Sequence, residues 1–367
     1  VQIGVFTDDK RLVLKDGDEI VGDMAMEFLH DGTPRVIRQA EFKAPDAADP
    51  GAPGSPDLNA DVVALLGSPN ICSREWIIRQ YDHEVQAGSA GKPLVGRRAD
   101  GPGDGAVLAP KLGSNRGIVV SSGLNPRYSK IDPAAMAECA IDEAMRNVVA
   151  CGGDPEHTAV LDNYCWGNCA KPERLGELVR ATRALCEVAL TYRTPFVSGK
   201  DSLNNEFRDG DRTIAIPGSI LVTAMSVVPD VRRTVTSSPR HPDAFLYIVG
   251  TTRRELGGSV YWKTRGELGA SVPRVDAVYG KRVLDGVARA IAARAVTACH
   301  DLSEGGLGVA VAEMMIAGRL GAEIDLDAVP REGVERADEI LFSESQSRFL
   351  LEVPADRVAD LEANLHD

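Results

Sequence analysis

The chain has 367 residues, carries a formal net charge of −13, and is 44% hydrophobic, 5% aromatic and 26% charged, the profile of a globular chain of two or three domains rather than a disordered one. Nucleic-acid and membrane-surface binders need basic patches, so a charge of this sign speaks against both. No apolar run approaches the roughly 18 residues of a membrane-crossing helix, and no signal or transit segment is visible.

In chain order, Val1 to about Asp23 reads as short strands around turns: Val1–Phe6, then Arg11–Leu14 before Asp16-Gly17-Asp18, where Asp-Gly between apolar runs favours a tight reversal. This piece is too short for a domain and reads as the end of one. Lys43 to Leu58, rich in Pro, Gly, Asp and Ala, reads as a linker. An amphipathic stretch with Ile71, Trp76, Ile77, Ile78 and Tyr81 follows, then a Gly-rich run from Gly88 to Gly105. Ala106–Leu108 and Ile118–Val120 are expected strands. Asp132-Pro133 supplies a cap and a first helical position for a helix reaching Cys151 and ending at Gly152-Gly153. A second helix is expected from Pro172, with the pre-proline Thr194 outside it. Beyond it come a strand-like run to Gly199 and a strand from Ser219 to Val228. A further unit begins near Asp243, with strands at Phe245–Val249, Val296–Cys299 and Phe349–Val353 and helices at Val283–Arg294 and Gly305–Ala317. Strands and helices alternate, so both units are of mixed α and β type.

The chemistry-bearing segments each admit a plain reading. In Ser198-Gly199-Lys200-Asp201-Ser202 a glycine lets backbone approach a phosphate, Asp201 offers a magnesium ligand and Ser202 a hydroxyl; the bare motif by itself reads first as a polar turn. His300-Asp301-Leu302-Ser303-Glu304-Gly305-Gly306 lies between a strand and a helix, a backbone suited to phosphate and its metal; Ser303 capping the helix is the alternative, and His300 reads as structural. Glu143 and Asn147, four apart on one helix face, suit Mg²⁺ or a solvated surface. Asp162 ends an apolar run, as ligand contact or turn cap. Asp104-Gly105 and Ser343–Arg348 are similarly open, the latter a grip on a polar substrate or an ordinary polar connection. The seven cysteines, odd in number and scattered, form neither a disulfide framework nor a paired CxxC zinc site, and point to a reduced, cytoplasmic setting; Cys165 and Cys169 leave a metal or redox pair open.

Together, and in this order, Asn125–Tyr128 with Ile131–Pro133, Asp162–Asn168, Val197–Glu206, Leu256–Ser259, His300–Leu307 and Ser343–Arg348 resemble the phosphoribosylformylglycinamidine synthase family, of the aminoimidazole-ribonucleotide-synthetase-like ATP-binding superfamily. The resemblance covers nearly the whole chain. It implies an α+β architecture: an ATPase N-terminal-like domain, a half barrel with helices, followed by an α/β C-terminal domain. Residues 1–33 are then the tail of a preceding C-terminal-like domain, 34–103 linker and lead-in, 104–235 a second N-terminal-like domain and 242–367 a second, truncated C-terminal-like domain. The absent initiator methionine and the final Leu-His-Asp, which cuts an apparent helix, fit a fragment whose missing first half carries the catalytic histidine.

The resemblance further implies that Asp162 and Gly199 contact ATP and Ser202 the substrate. Lys200 stands where many small-type enzymes have a magnesium-binding Asn, a role that Asp201 would have to take. Asp104, Glu143, Asn147 and Asp301 match magnesium ligands of an auxiliary nucleotide site, with Ser303 on the nucleotide. The implied reaction uses ATP and Mg²⁺ to amidate formylglycinamide ribonucleotide with ammonia from a glutaminase subunit or fused domain. A related synthetase of the superfamily and a non-catalytic nucleotide-binding half are the alternatives.

Overall fold

The computed structural model describes residues 1–51 and 54–365 and divides into two compact units, Val1–Gln39 and Ala40–Asp367. The first is a hairpin in which β1 (Arg11–Asp16) pairs antiparallel with β2 (Glu19–Ala25), followed by α1 (Met26–Asp31). Gly17, at φ 59°, takes the left-handed turn position that a side chain would disfavour. Val1–Phe6, read from the sequence as a strand, has no regular structure: no neighbouring strand among the described residues supplies a ladder for its N–H and C=O groups.

In the second unit the described residues of the linker stretch before Leu58 form no helix or strand, yet the stretch is tied down at Asp49. The Asp49 carboxylate accepts the backbone N–H groups of Ala270 and Ser271, both at 2.8 Å. α2 (Leu58–Leu66) starts on Asp57, whose carboxylate caps Asn59 and Ala60. The amphipathic stretch that follows yields only the single turn α3 (Glu75–Ile78), with Trp76 and Tyr81 exposed; Ile71 packs instead with Leu65 and Phe342. Short strands β3 (Ser89–Gly91), β4 (Leu94–Val95) and β5 (Gly101–Pro102) lead into β6 (Gly105–Leu108) and β7 (Gly117–Gly123). α4 (Pro133–Ala150), β8 (Thr158–Cys165), α5 (Pro172–Tyr192) and β9 (Phe196–Ser202) follow, then the hairpin β10 (Glu206–Asp209) and β11 (Arg212–Ala215), and β12 (Ser219–Val228). Six of these strands form one sheet in the order β3-β6-β7-β12-β8-β9, antiparallel except for the β8–β9 pair.

The C-terminal part adds β13 (Phe245–Val249), β14 (Thr252–Arg253), α6 (Val260–Thr264), α7 (Ala277–Ala292), β15 (Ala298–Asp301), α8 (Gly306–Gly318), β16 (Arg331–Glu332), α9 (Ala337–Phe342), β17 (Phe349–Val353) and α10 (Val358–Leu365). β17 lies between β13 and β15, antiparallel to both. α7 begins six residues earlier than its apolar spacing suggests, because Asp276 caps Val278 and Tyr279. β15 runs two residues later than expected; its register pairs Asp301 with Phe349 and so sets that acid at the strand's end.

α4 is the pivot of the fold. It packs on β7 and β12 of the large sheet, on α5 beside it, and on α7 and β15 of the C-terminal part. Every residue along it is buried except Glu138 and Glu143, which are half-buried. One hydrophobic core therefore runs from Val119 and Val222 through Met145 and Val148 to Val287, Cys299 and Phe349. At its start Asp132 accepts Ala134 N–H and pairs with Arg180 and Arg274. Burial alone would push this carboxyl up, but the Arg180 hydrogen bonds, the cap and the Arg274 charge bring it from 3.8 down to about 2. A pKa depressed in the folded state stabilises above the unfolded value and is lost as pH falls. Asp132→Asn is expected to cost about 1–2 kcal/mol at pH 7 once its partly exposed arginine partners are discounted for solvent screening. The cost should vanish between pH 4 and about pH 2, and urea unfolding of both proteins across that range measures it.

Candidate functional site

Four of the expected residues come from three segments, α4 among them. Asp104 directly precedes β6, Glu143 and Asn147 lie one turn apart on α4, and Asp301 ends β15. After Asp301 the chain turns through Gly305 and Gly306, at φ 82° and 63°, into α8. Glycine is required at the second position: a Cβ on Gly306 would stand 2.4 Å from the Ser343 carbonyl oxygen. The cap position of α8 is Gly305, with no side-chain cap, so Ser303 does not act as the helix cap; its carbonyl accepts Gly306 N–H instead.

Asp104 Oδ1 accepts the Asp301 N–H at 3.1 Å and lies 2.6 Å from His300 Nδ1. His300 Nε2 in turn faces Glu313 Oε2 at 3.1 Å. A carboxylate at each nitrogen favours the imidazolium form, in which both ring nitrogens donate. Burial alone would lower the imidazole, but Asp104 and Glu313 hold it well above its ordinary value. Ligand atoms of Asp104, His300 and Asp301 lie within 4.8 Å of one another.

Glu143 Oε2 accepts Leu124 N–H at 2.8 Å and Asn125 Nδ2 at 2.9 Å, and Asn147 Nδ2 donates to the Ser122 carbonyl at 3.0 Å. The helix can approach β7 this closely because Gly123 has no side chain: a Cβ there would sit 2.1 Å from Ala140 O. Two oxygens of the cluster, Asp104 Oδ2 and Asn147 Oδ1, are buried and have no hydrogen-bond partner. Burial, with the Asp301 charge added, pushes Glu143 up to about 8. Burial also raises Asp301, against the pull of Arg146. Hard oxygen donors such as the bare Asp104 Oδ2 and Asn147 Oδ1, with acidic neighbours, are what a divalent cation such as Mg²⁺ takes, although Glu143 lies outside the group whose ligand atoms fall within 4.8 Å. The residues present fit that ion.

A second network backs this one. Arg146, fully buried one turn beyond Asp142, donates to Asp142, to Gln346 Oε1 at 2.7 Å, to Asp301 Oδ2 at 3.2 Å and to Leu302 O at 3.4 Å. Asp142 also accepts Tyr192 OH at 2.5 Å, Ser347 N–H at 2.9 Å and Ser347 Oγ at 2.8 Å. Ser343–Arg348 is thus neither a substrate grip nor an ordinary polar connection; all six residues are buried, and they lock α4 to the C-terminal part. Within the segment Glu344 accepts Val260 N–H, Gly305 N–H and Tyr128 OH, at 2.9, 2.8 and 2.6 Å. Asp142, Arg146 and Tyr192 were not singled out from the sequence. The signal was there in Asp142 and Arg146, an i,i+4 ion pair in a helix otherwise rich in Ala, Met, Ile and Val.

The other expected residues lie on the far strands. Asp162 is in the middle of β8 rather than at a strand end, and Gly199 is inside β9 rather than in a loop, because the two are register partners in the parallel β8–β9 ladder. A Cβ on Gly199 would meet Asp162 Oδ1 at 2.4 Å, so the glycine keeps that carboxylate open. Burial and the Asp201 charge raise Asp162. Lys200 Nζ donates to Ser202 Oγ, so the lysine is turned to its own strand. Gly123, Val222, Asp162 and Gly199 form one cross-strand row, which puts Asp162 two strand spacings, roughly 10 Å, from the strand end under Glu143. Cys165 and Cys169 thiols turn to Asn163 Oδ1 and Gly167 O, and among the described residues no metal-ligating group gathers around them. Nor is any helix of the described residues long and apolar enough to cross a membrane.

The family profile described as AIR synthase related protein, N-terminal domain, matches residues 102–221, and that described as its C-terminal domain matches residues 242–366. Phosphoribosylformylglycinamidine synthase subunit PurL of Alkaliphilus metalliredigens is 33% identical over 374 residues, covering 100% of this chain and 48% of that protein. The same subunit of Rhodospirillum rubrum is 34% identical over 358 residues, covering 96% of this chain and 46% of that protein. The chain therefore spans about half the length of the curated relatives it matches. Among solved structures, T. maritima PurL complexed with FGAR superimposes with a TM-score of 0.63 at 20% identity, over 84% of this chain and 47% of that one, a likeness of fold. With both domain profiles matched in sequence order, and a mixed α/β fold of the same kind beneath them, the chain belongs to the AIR synthase related family, in the branch of the phosphoribosylformylglycinamidine synthase subunits.

Proposed function

We propose that this chain is one half of the synthetase body that makes formylglycinamidine ribonucleotide from formylglycinamide ribonucleotide, ATP and glutamine-derived ammonia in purine biosynthesis. Identity of about a third to named synthase subunits along the whole chain supports the reaction. The nucleotide part takes Asp104, Glu143, Asn147 and Asp301 as one site, a reading supported by the closeness of Asp104 and Asp301 and by the buried, bare Asp104 Oδ2 and Asn147 Oδ1. These four would hold Mg²⁺, and Ser303 beside them would meet the nucleotide. Bound there, the ion would neutralise phosphate charge.

On the β8–β9 side, Asp162 and Gly199 are proposed to contact the reacting ATP and Ser202 the substrate, with Asp201 as a further metal ligand. Phosphorylation makes the amide oxygen of the substrate a leaving group, which ammonia displaces. The part of these residues is to bind and orient. The side-chain-free Gly199 leaves room at the Asp162 carboxylate, and Lys200 braces Ser202. The proposal includes a division into a preceding domain's tail at 1–33, a lead-in at 34–103, an N-terminal-like domain at 104–235 and a C-terminal-like domain at 242–367. It further includes a matching first half bearing the catalytic histidine, a glutaminase partner and a cytoplasmic setting.

A second reading concerns the role of the cluster rather than the reaction. Asn147 and Asp301 are buried and Asp104 and Glu143 half-buried, whereas Asp201 and Gly199 are exposed. Nucleotide held at the cluster would thus act as part of the fold. The test is product formation: the full protein given ATP, formylglycinamide ribonucleotide and ammonium should release ADP and the amidine in equal amounts. ADP and phosphate release with no amidine would reject the amidation and leave only ATP hydrolysis.

A further inference from the structure

We propose that His300 is a positioning residue for the cation site, fixing Asp104 through Oδ1 so that Oδ2 stays turned into the oxygen cluster. The proposal rests on the metal-site reading above and adds a residue to it. Asp104 reaches the cluster from a glycine-flanked segment, Gly103-Asp104-Gly105, with little side-chain packing of its own. Its Oδ1 takes two donors, the His300 ring at 2.6 Å and the Asp301 backbone N–H at 3.1 Å. Its Oδ2 takes none and is buried. Turning the carboxylate about its Cβ–Cγ bond would break both contacts to Oδ1, so the bare oxygen has one available direction.

The ring is fixed in turn. Glu313 on α8 holds Nε2 at 3.1 Å, and the imidazole side chain is only 7% exposed. Carboxylate, imidazole and carboxylate thus form a chain that starts on α8 and ends on Asp104 Oδ1, leaving Oδ2 of the same carboxylate turned to the cluster, the arrangement by which outer groups orient a ligand. The histidine spans two elements and terminates on the acid of the cluster whose other oxygen is buried and unsatisfied.

The experiment uses the full protein and Mn²⁺ with ADP, following free Mn²⁺ by electron paramagnetic resonance alongside the unfolding temperature without metal. His300→Ala is expected to weaken Mn²⁺ binding roughly 10- to 100-fold. His300→Asn, whose amide N–H can stand where Nδ1 stands, should restore most of it, and Glu313→Ala should fall between the two. Asp104→Asn serves as the control. Wild-type affinity in His300→Ala, with binding lost in Asp104→Asn, overturns this proposal alone. Failure of His300→Asn to rescue binding, at an unchanged unfolding temperature, overturns it too. Absence of Mn²⁺ binding in the unaltered protein overturns the metal-site reading and this proposal with it.

Discussion

Replacing Arg146 by alanine is expected to destabilise the protein by about 3–5 kcal/mol, the cost of leaving a buried charge without its partner. That is a large share of the roughly 5–15 kcal/mol by which folded proteins are stable. Arg146 and Asp142 are both fully buried. Without the guanidinium, Asp142 keeps only the neutral donors Tyr192 OH, Ser347 N–H and Ser347 Oγ, while Gln346 Oε1 and Leu302 O lose a donor. The loss falls where α4 meets the Ser343–Arg348 segment, so it also loosens the joint between the two halves of the core. The double change Asp142→Asn with Arg146→Met should be milder than Arg146→Ala, since it removes both charges and refills much of the volume. Urea unfolding of the single and double variants measures both. A single-variant cost below 1 kcal/mol would show that the network is not stabilised by its charges.

The fold was legible where local chemistry decides and obscure where partners do. The capped helix at Asp132-Pro133 and the strands Phe245–Val249, Ser219–Val228 and Phe349–Val353 have the bounds read from the sequence, because caps, prolines and apolar runs act within a few residues. β15 slipped by two residues because its register is set by β17, which is distant in sequence. Val1–Phe6 alternates like a strand but has no partner within its unit. In the site, glycine and acid types could be read directly: Gly199 beside Asp162 and Gly305-Gly306 before α8 are positions where a side chain would collide. The burial of α4 could not. Alanines on the face of Glu143 and Asn147 fit both a solvated surface and a close approach of β7; Gly123 settles the matter only in three dimensions. For the same reason Ser343–Arg348, six residues with four polar side chains besides its glutamate and arginine, reads as a surface connection although all six are buried and Glu344, Ser345, Gln346, Ser347 and Arg348 find partners inside the core.

Glu143→Gln should abolish the stabilisation that Mg²⁺ with ADP gives while leaving the metal-free protein at least as stable. The two halves of that expectation have opposite signs, which separates a ligand from a structural side chain. In the unaltered protein, nucleotide at 100 times its dissociation constant should add about 2.7 kcal/mol, on the order of 2–4 °C in unfolding temperature. Burial and the Asp301 charge raise the Glu143 carboxyl from 4.5 to about 8, so its ionised form is disfavoured in the folded state. A folded pKa above the unfolded one means that the metal-free protein loses stability as pH rises from 4.5 through about 8. Glutamine carries no charge, so that loss disappears, and its carbonyl oxygen can still accept Leu124 N–H, which Glu143 holds at 2.8 Å. The cation, by contrast, needs the carboxylate, and its binding should release protons near neutrality. Thermal unfolding with and without Mg²⁺ and ADP, at pH 6 and pH 8.5, reads both effects. A variant that keeps the full ligand-induced shift would remove Glu143 from the ion's ligands; one that loses stability without ligand would mark the side chain as a structural acceptor.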